Sequence, residues 1–415
     1  MRESSALAYG SVRAHPARSV LAITGVVIGI VTVVLVATVL ANVRNQIALL
    51  FRELGTDNVF AFHLTGDPYA PASDLEARRR PLDRAFGRAI ERQAEAVEQV
   101  AAQIIVPQVV NGRALTARAG SAVSDTVLVE GSSANFFDVV GGEFGHGRPF
   151  TELEDRAGAR VAVLGRSLSR ALFGPGAGAA ALGRSVFLAG EPYRVVGILA
   201  PRRGGFFGEN RQDSVMSVPA GAIERRFPDA DATVLYIRAR PGRLQEARSQ
   251  TQTVLRRLRR LGAEEPDDFN LSTSEQIIGT FDSVGAGIAL ATVGLAAVSL
   301  LIGGIGIGNV MVISVTERTR EIGLRLAIGA RRGEVRRQFL IESTLLSLAG
   351  GIAGLLVAAG LTAGITLLVP GFLPVLPAWA VVFGLVSSCA TGIAAGYLPA
   401  RQAAAMDPVE ALRHE

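Results

Sequence analysis

Hydrophobic positions in this chain collect in three stretches that carry no charged side chain: residues 19–43, 283–316 and 343–400. A bilayer core of ~30 Å needs about 20 apolar helical residues to cross, so each stretch can enter a membrane. The third cannot be one helix, because PGFLPVLP (370–377) interrupts it with three prolines that cannot continue a helical ladder. It divides into segments 343–369 and 378–399, joined by a connector at 370–377. The pattern therefore predicts four transmembrane helices: 19–43, 283–316, 343–369 and 378–399. As one helix, residues 283–316 would reach about 51 Å. The helical pattern runs back to about Ser274, which predicts that the first turns stand above the membrane as a stalk.

Between the first two spans the pattern changes character. Residues 44–282 hold 30 of the 42 arginines and read as a large soluble domain. Leu82–Val97 has the polar and apolar spacing of an amphipathic helix, and QIIVPQVV (103–110) follows as a strand. Short β-rich runs recur at 125–131, 160–165, 184–190 and 193–199, the last two joined by Gly190-Glu191-Pro192 as a hairpin. Helical patterns occupy Ser167–Phe173 and Arg243–Leu261, and GPGAGAAALG (174–183) reads as a loop. A second loop, 201–213, carries Phe206 and Phe207 between glycines, a pair expected to pack within its own loop, the alternative being contact with a partner or lipid. Mixed α/β architecture follows.

Composition narrows the chemistry. Every one of the 42 basic residues is arginine, so no Walker A loop and no Schiff-base lysine lies in this sequence. If ATP drives this protein, another chain binds it. The net charge of +5 comes from arginines spread along the chain, a pattern of solvated faces and topology signals, not nucleic-acid binding. Cys389, the one cysteine, excludes an intrachain disulfide and reads as a small packing residue. The histidines at 15, 63, 146 and 414 show no metal-ligand spacing, so no metal site is expected. A membrane-anchored enzyme would have to build its site around His63 or His146, with no cysteine nucleophile in that domain.

Charge also orients the chain. Arg2, Arg13 and Arg18 precede the first span, which is too long for a signal-peptide core and reads as an uncleaved anchor. Residues 1–18 are therefore expected in the cytoplasm. Residues 317–342, between the second and third spans, begin ERTREIGLRLAIGARRGEVRR, with seven arginines at 318, 320, 325, 331, 332, 336 and 337. Such a loop marks the cytoplasmic side, and so does the tail at 400–415. Within it, Glu317–Arg320 and Glu321–Arg325 are spaced as helical ion pairs, and Ile322 and Leu326 share a face. Gly329 is placed to stop one helix and Glu334 to start the next. Periodicity alone leaves two readings open: an interfacial helix holding anionic headgroups, or a docking helix for a cytoplasmic partner.

ERTREIGLRLAIGARRGEVRRQFLIES resembles the cytoplasmic signature of MacB/FtsX-type ABC transporter permeases, and the ending LPARQAAAMDPVEALRHE is similar to that family's C-terminus. GSSANFFDVVGGEFGHGRPFTELEDRAGARVAVLGRSLSRALFG and YRVVGIL resemble its extracytoplasmic domain, within the expected 44–282. The resemblance implies an α-helical membrane protein with four transmembrane helices and a mixed α/β extracytoplasmic domain inserted between the first and second. It implies a permease in the bacterial inner membrane, without catalysis of its own, with both termini cytoplasmic and the large domain outside. Its partners would be a separate cytoplasmic ATPase that binds ATP and Mg, a second permease copy or paralogue, and in some systems a periplasmic adaptor. Motion would pass from the ATPase to the outer domain (mechanotransmission) to export a drug, peptide or lipoprotein. The alternative is an FtsX-like signalling subunit that regulates an external cell-wall hydrolase. The ATPase-docking residues implied are Glu317, Arg318, Arg320, Glu321, Ile322, Gly323, Arg325, Leu326, Gly329 and Ala330, with Glu321, Arg325 and Gly329 foremost. Some family members carry a fused ATPase; here a partner chain is expected to supply it.

Overall fold

A computed structural model describes residues 16–53, 55, 57–64, 73–110, 112–201, 211–230, 232–369, 372–373 and 375–413. Residues 1–15, His414 and the pair Phe206 and Phe207 lie outside the described residues, and so does most of the loop expected at 201–213. The chain divides into two compact units, residues 1–44 with 282–415, and residues 45–281.

The first helix, α1 (Pro16–Glu53), extends ten residues beyond the apolar stretch that predicts it. The unit that follows is built on one mixed sheet. In chain order its main elements are β1 (Asn58–Phe62), α2 (Ala85–Gln93), β2 (Val97–Ile105), β3 (Ala117–Ala119), β4 (Ala122–Ser124) and β5 (Leu128–Ser132). Then come α3 (Glu152–Ala157), β6 (Val161–Leu164), α4 (Arg166–Phe173), β7 (Ser185–Leu188), β8 (Glu191–Leu199) and β9 (Val215–Pro219). The unit closes with α5 (Ala220–Arg226), β10 (Ala232–Ala239), α6 (Leu244–Leu258) and β11 (Asn270–Thr273). Among the described residues, eleven strands run in the order β11-β1-β10-β2-β5-β9-β6-β8-β7-β3-β4, and the short strand Phe144–Gly147 adds a twelfth against β8. Only the β9–β5 and β8–β6 pairings are parallel among the described residues.

Both sheet faces are covered, which explains why several strands are hard to recognise by alternation. In β1, Val59 and Ala61 join a core that includes Ile90 of α2 and Leu255 of α6, whereas Phe60 and Phe62 join an aromatic core on the other face. There Phe60 and Phe136 each meet Tyr236 edge-on, with centroids 5.4 and 5.2 Å apart. A buried polar chain crosses four neighbouring strands of the sheet. Tyr236 donates to Gln103 at 2.7 Å, Gln103 donates to Glu130, and Ser132 and Ser217 share a 2.8 Å bond. A one-residue slip would unpair these groups, so the chain pins the register.

Two sequence expectations change here. The helix expected over Leu82–Val97 ends at Gln93, because Val97 already pairs with Ala239 and β2 follows β10 through to Ile105. Strand pairing outweighs a helical period that would otherwise continue. The strand expected over 103–110 stops at Ile105 and resumes only for Val109–Val110, since Pro107 has no amide hydrogen to give the ladder. The 185–188 and 191–199 hairpin forms as the turn signal implies, with Leu188 opposite Glu191. Within the glycine- and alanine-rich run, Gly178–Ala181 winds into a 3-10 turn.

Helix α7 runs unbroken from Ser274 to Glu317, 44 residues, or about 66 Å, and all but its first eight residues belong to the other unit. It is followed by α8 (Thr319–Ala327), α9 (Arg332–Leu368), α10 (Ala378–Ala405) and α11 (Pro408–Arg413). Helices α1, α7, α9 and α10 are each long and apolar enough to cross a membrane. Segment 317–342 is therefore mostly helical: α9 begins eleven residues before its charge-free stretch, and α10 continues to Ala405. Glycine sets the packing distances. A methyl on Gly25 of α1 would lie 2.8 Å from the Gly303 Cα of α7, and one on Gly392 of α10 would lie 2.7 Å from the Thr344 Cα of α9. In lipid, where little hydrophobic force holds helices together, such close approach supplies the dispersion contact instead. At the end of the charge-free stretch of α1, Asn42 donates to the Leu373 carbonyl at 2.9 Å and accepts from its amide at 2.8 Å, holding the α9–α10 connector.

Candidate docking site

The arginine-rich segment folds as a short helix held on two sides. Helix α8 starts after Arg318 and ends at Ala327; Gly329 then adopts φ +99, a left-handed conformation that strains other residues, and reverses the chain. The Glu334 carboxylate accepts the Arg331 amide at 3.1 Å and opens α9.

Ile322 and Gly323 form the inward face of α8, with Ile322 2% exposed. Gly323 packs on Ala411 of α11 so tightly that a methyl there would fall 2.5 Å from the Ala411 Cβ. Two arginines tie the segment to α9. Arg318 pairs with buried Glu342 at 3.5 Å, and Arg325 donates to Gln338 at 2.9 Å while pairing with Glu321. Of the seven arginines, these two are engaged within the unit; Arg320, Arg331, Arg332, Arg336 and Arg337 are exposed and form no ion pair among the described residues.

The structure thus sorts the ten residues that the sequence singles out. Glu317, Arg320, Glu321 and Gly329 are exposed; Arg318, Arg325, Leu326 and Ala330 are half-buried; Ile322 and Gly323 are buried. What the motif did not single out is the apolar part of the outward face. Leu324 is 54% exposed and Ile328 79%, four residues apart beside Arg320. On α11, Val409 and Leu412 are likewise exposed while Ala411 faces inward. Their i,i+4 and i,i+3 spacings were visible in the sequence, but which face turned outward was not.

In the α/β unit, Arg84 ahead of α2 bridges Asp155 of α3 (3.2 Å) and Glu224 of α5 (2.9 Å) across a cleft of about 510 Å³. Burial pushes the Glu224 carboxyl above its usual range, against the pull of Arg84. Arg148, with Thr151 assisting, holds Glu154 down to about 2. His63 is buried, and His146 lies exposed on the strand beside β8.

Residues 19–254 match the MacB-like periplasmic core domain, and residues 293–408 match the FtsX-like permease C-terminal domain. The chain belongs to the MacB/FtsX-type permease family. A macrolide export ATP-binding/permease protein MacB from Bradyrhizobium diazoefficiens is 33% identical across all of this chain, which spans 60% of that relative's length. A pyoverdine export ATP-binding/permease protein PvdT from Pseudomonas aeruginosa is 30% identical over 95% of this chain and 56% of its own. The periplasmic region of MacB from Actinobacillus actinomycetemcomitans aligns with a TM-score of 0.43 and 18% identity, covering 56% of this chain and 95% of that one. This MacB-like chain is accordingly a transmembrane permease, with its α/β domain inserted between its first and second spans.

Proposed function

We propose that this permease is the membrane subunit of an ABC export system, driven by an ATPase that docks on α8. The exposed pair Leu324 and Ile328 beside Arg320 carries the reading: apolar side chains outside the charge-free stretches gain free energy when a partner covers them. Arg318, Arg325, Ile322 and Gly323 would position the helix, while Arg320, Leu324, Ile328 and Gly329 would meet the partner. The sequence has no lysine, so the nucleotide cradle lies outside these 415 residues, and ATP and Mg belong to the ATPase. Closure of two ATPase copies would draw two permeases together. The unbroken helix α7 would carry that motion into the α/β domain. The α8 side would face the cytoplasm with both termini, and the α/β domain the periplasm, where an adaptor could receive cargo. The similarity to relatives named for macrolide and pyoverdine export supports a cargo of that kind.

Affinity purification of the intact protein from gently solubilised membranes tests this reading. A stoichiometric ATPase bearing a Walker A motif is expected with the wild type and absent with Leu324→Asp/Ile328→Asp. Equal recovery with both proteins would remove α8 from the interface.

A further inference from the structure

The sheet of the α/β unit is joined across its middle at one narrow seam. Strand β2 pairs with β10 along its whole length, from Val97 opposite Ala239 to Ile105 opposite Ala232. Toward β5 it pairs only at Gln103–Ser132, Ile104–Gly131 and Ile105–Glu130 among the described residues. Strands β1 and β11, which adjoin α1 and α7 in the chain, lie on the β2 side of this seam. The half running from β5 to β4 therefore hangs on the first half. On one face of the seam the contact is apolar. Phe136 packs on Tyr236 of the first half, and Phe137 meets Phe144 and Phe150 of the second edge-on, with centroids 5.2 and 5.7 Å apart. Apolar contact of this kind has little directionality and survives a small rotation. The other face is the cleft of about 510 Å³, with α2 on one wall and α3 and α5 on the other. Arg84, its side chain 22% exposed, crosses this cleft to Asp155 and Glu224. On the cleft floor, side chains stand in for a strand along the free edge of β2. The Val100 amide donates to Glu91 at 2.7 Å, and Asn135 donates to the Val100 carbonyl at 3.0 Å.

We propose that this seam is a hinge and Arg84 its latch, so that the second half swings away from α2 when Arg84 lets go. The Gln103–Glu130 bond pins the short ladder that serves as the axis, and the aromatic face is the side that stays closed. Asp155 is the fixed catch, because the Gly221 amide holds its carboxylate at 3.0 Å within the second half. Charge sets the direction of movement. Without Arg84 one wall keeps Asp83 and Glu91 against Arg88, and the other keeps Glu152, Asp155 and Glu224 against Arg156. Both walls are then net negative and repel. A narrow junction between two packed halves is the usual form of a hinge. This device lies wholly within the α/β unit and does not rest on ATPase docking at α8.

The test measures the width of the cleft in the full chain, reconstituted in nanodiscs. Nitroxide labels on Arg92→Cys of α2 and Leu153→Cys of α3, both exposed positions, are placed in a Cys389→Ser background. Double electron–electron resonance then reads the distance between them. With Arg84 present, one short distance population is expected. Arg84→Gln should add a second, longer population, and Glu224→Gln a smaller one of the same kind. Arg148→Gln removes an ion pair that lies inside the second half and should leave the distances unchanged. An unaltered distribution in folded Arg84→Gln would overturn the proposal. So would equal lengthening in Arg148→Gln, which would trace the opening to general loosening of the unit. Should Arg84→Gln fail to fold, Glu224→Gln decides, because it keeps the Arg84–Asp155 pair. A distribution identical to that of the unsubstituted protein would then sink the latch.

Discussion

Gly323 of α8 faces Ala411 of α11: a methyl on Gly323 would fall 2.5 Å from the Ala411 Cβ, so the short helix α11 rests on α8 where a side chain would keep the two apart. The two are 88 residues apart in sequence, yet they set how the outward face of α8 is presented. Replacing Gly323 with Val overpacks this contact, at a cost of about 1–3 kcal/mol. ATPase recovery in the affinity purification should fall sharply while membrane insertion is unchanged. The Gly329→Ala variant, strained at its positive φ, should weaken it to a lesser degree.

Asn42 offers a cleaner local test, because its amide satisfies both backbone groups of Leu373. An Asn42→Leu variant leaves that donor and acceptor without the side chain, at about 1–3 kcal/mol where water cannot replace it. Amide exchange at residues 372, 373, 375 and 376 should accelerate, with exchange in α10 unaltered.

The close approach of α9 and α10 separates packing from mere composition. Gly392→Val places its side chain against the Thr344 backbone, and should lower the thermal midpoint in detergent markedly. Gly360→Val, which meets nothing within 4 Å, should leave it unchanged.

Acid stability should report the Arg148–Glu154 pair. A carboxylate held near 2 when folded stabilises the fold above its unfolded value of 4.5 and loses that contribution as pH falls toward 2. Because the Arg148 side chain is half exposed, solvent screening keeps the effect to about 1 kcal/mol despite the size of the shift. The thermal midpoint should therefore decline between pH 4.5 and 2 in the wild type, and decline less steeply in Arg148→Gln.

Four membrane spans and an intervening α/β domain were legible because bilayer thickness imposes a length on apolar runs, and no tertiary contact is needed to read it. The hairpin at 185–199 and the stop at Gly329 were equally local, written in turn residues and a positive φ. Other elements were not. The runs NVFAF and VMSVP are buried on both faces and show no alternation, so β1 and β9 acquire their identity only from the strands beside them. The end of α2 was decided by β10 pairing, and the far end of α10 by packing of Ala400, Ala403 and Ala404 inside the unit. The arginine-rich motif was recognisable as a string, but its seven arginines looked alike. Burial of Glu342 and the position of Gln338 drew Arg318 and Arg325 inward, and the contact of Gly323 with Ala411 turned Leu324 and Ile328 outward. Charge and hydropathy along a chain specify what must cross or avoid the membrane. Which side of a short helix is free is settled only when distant segments compete for its other side.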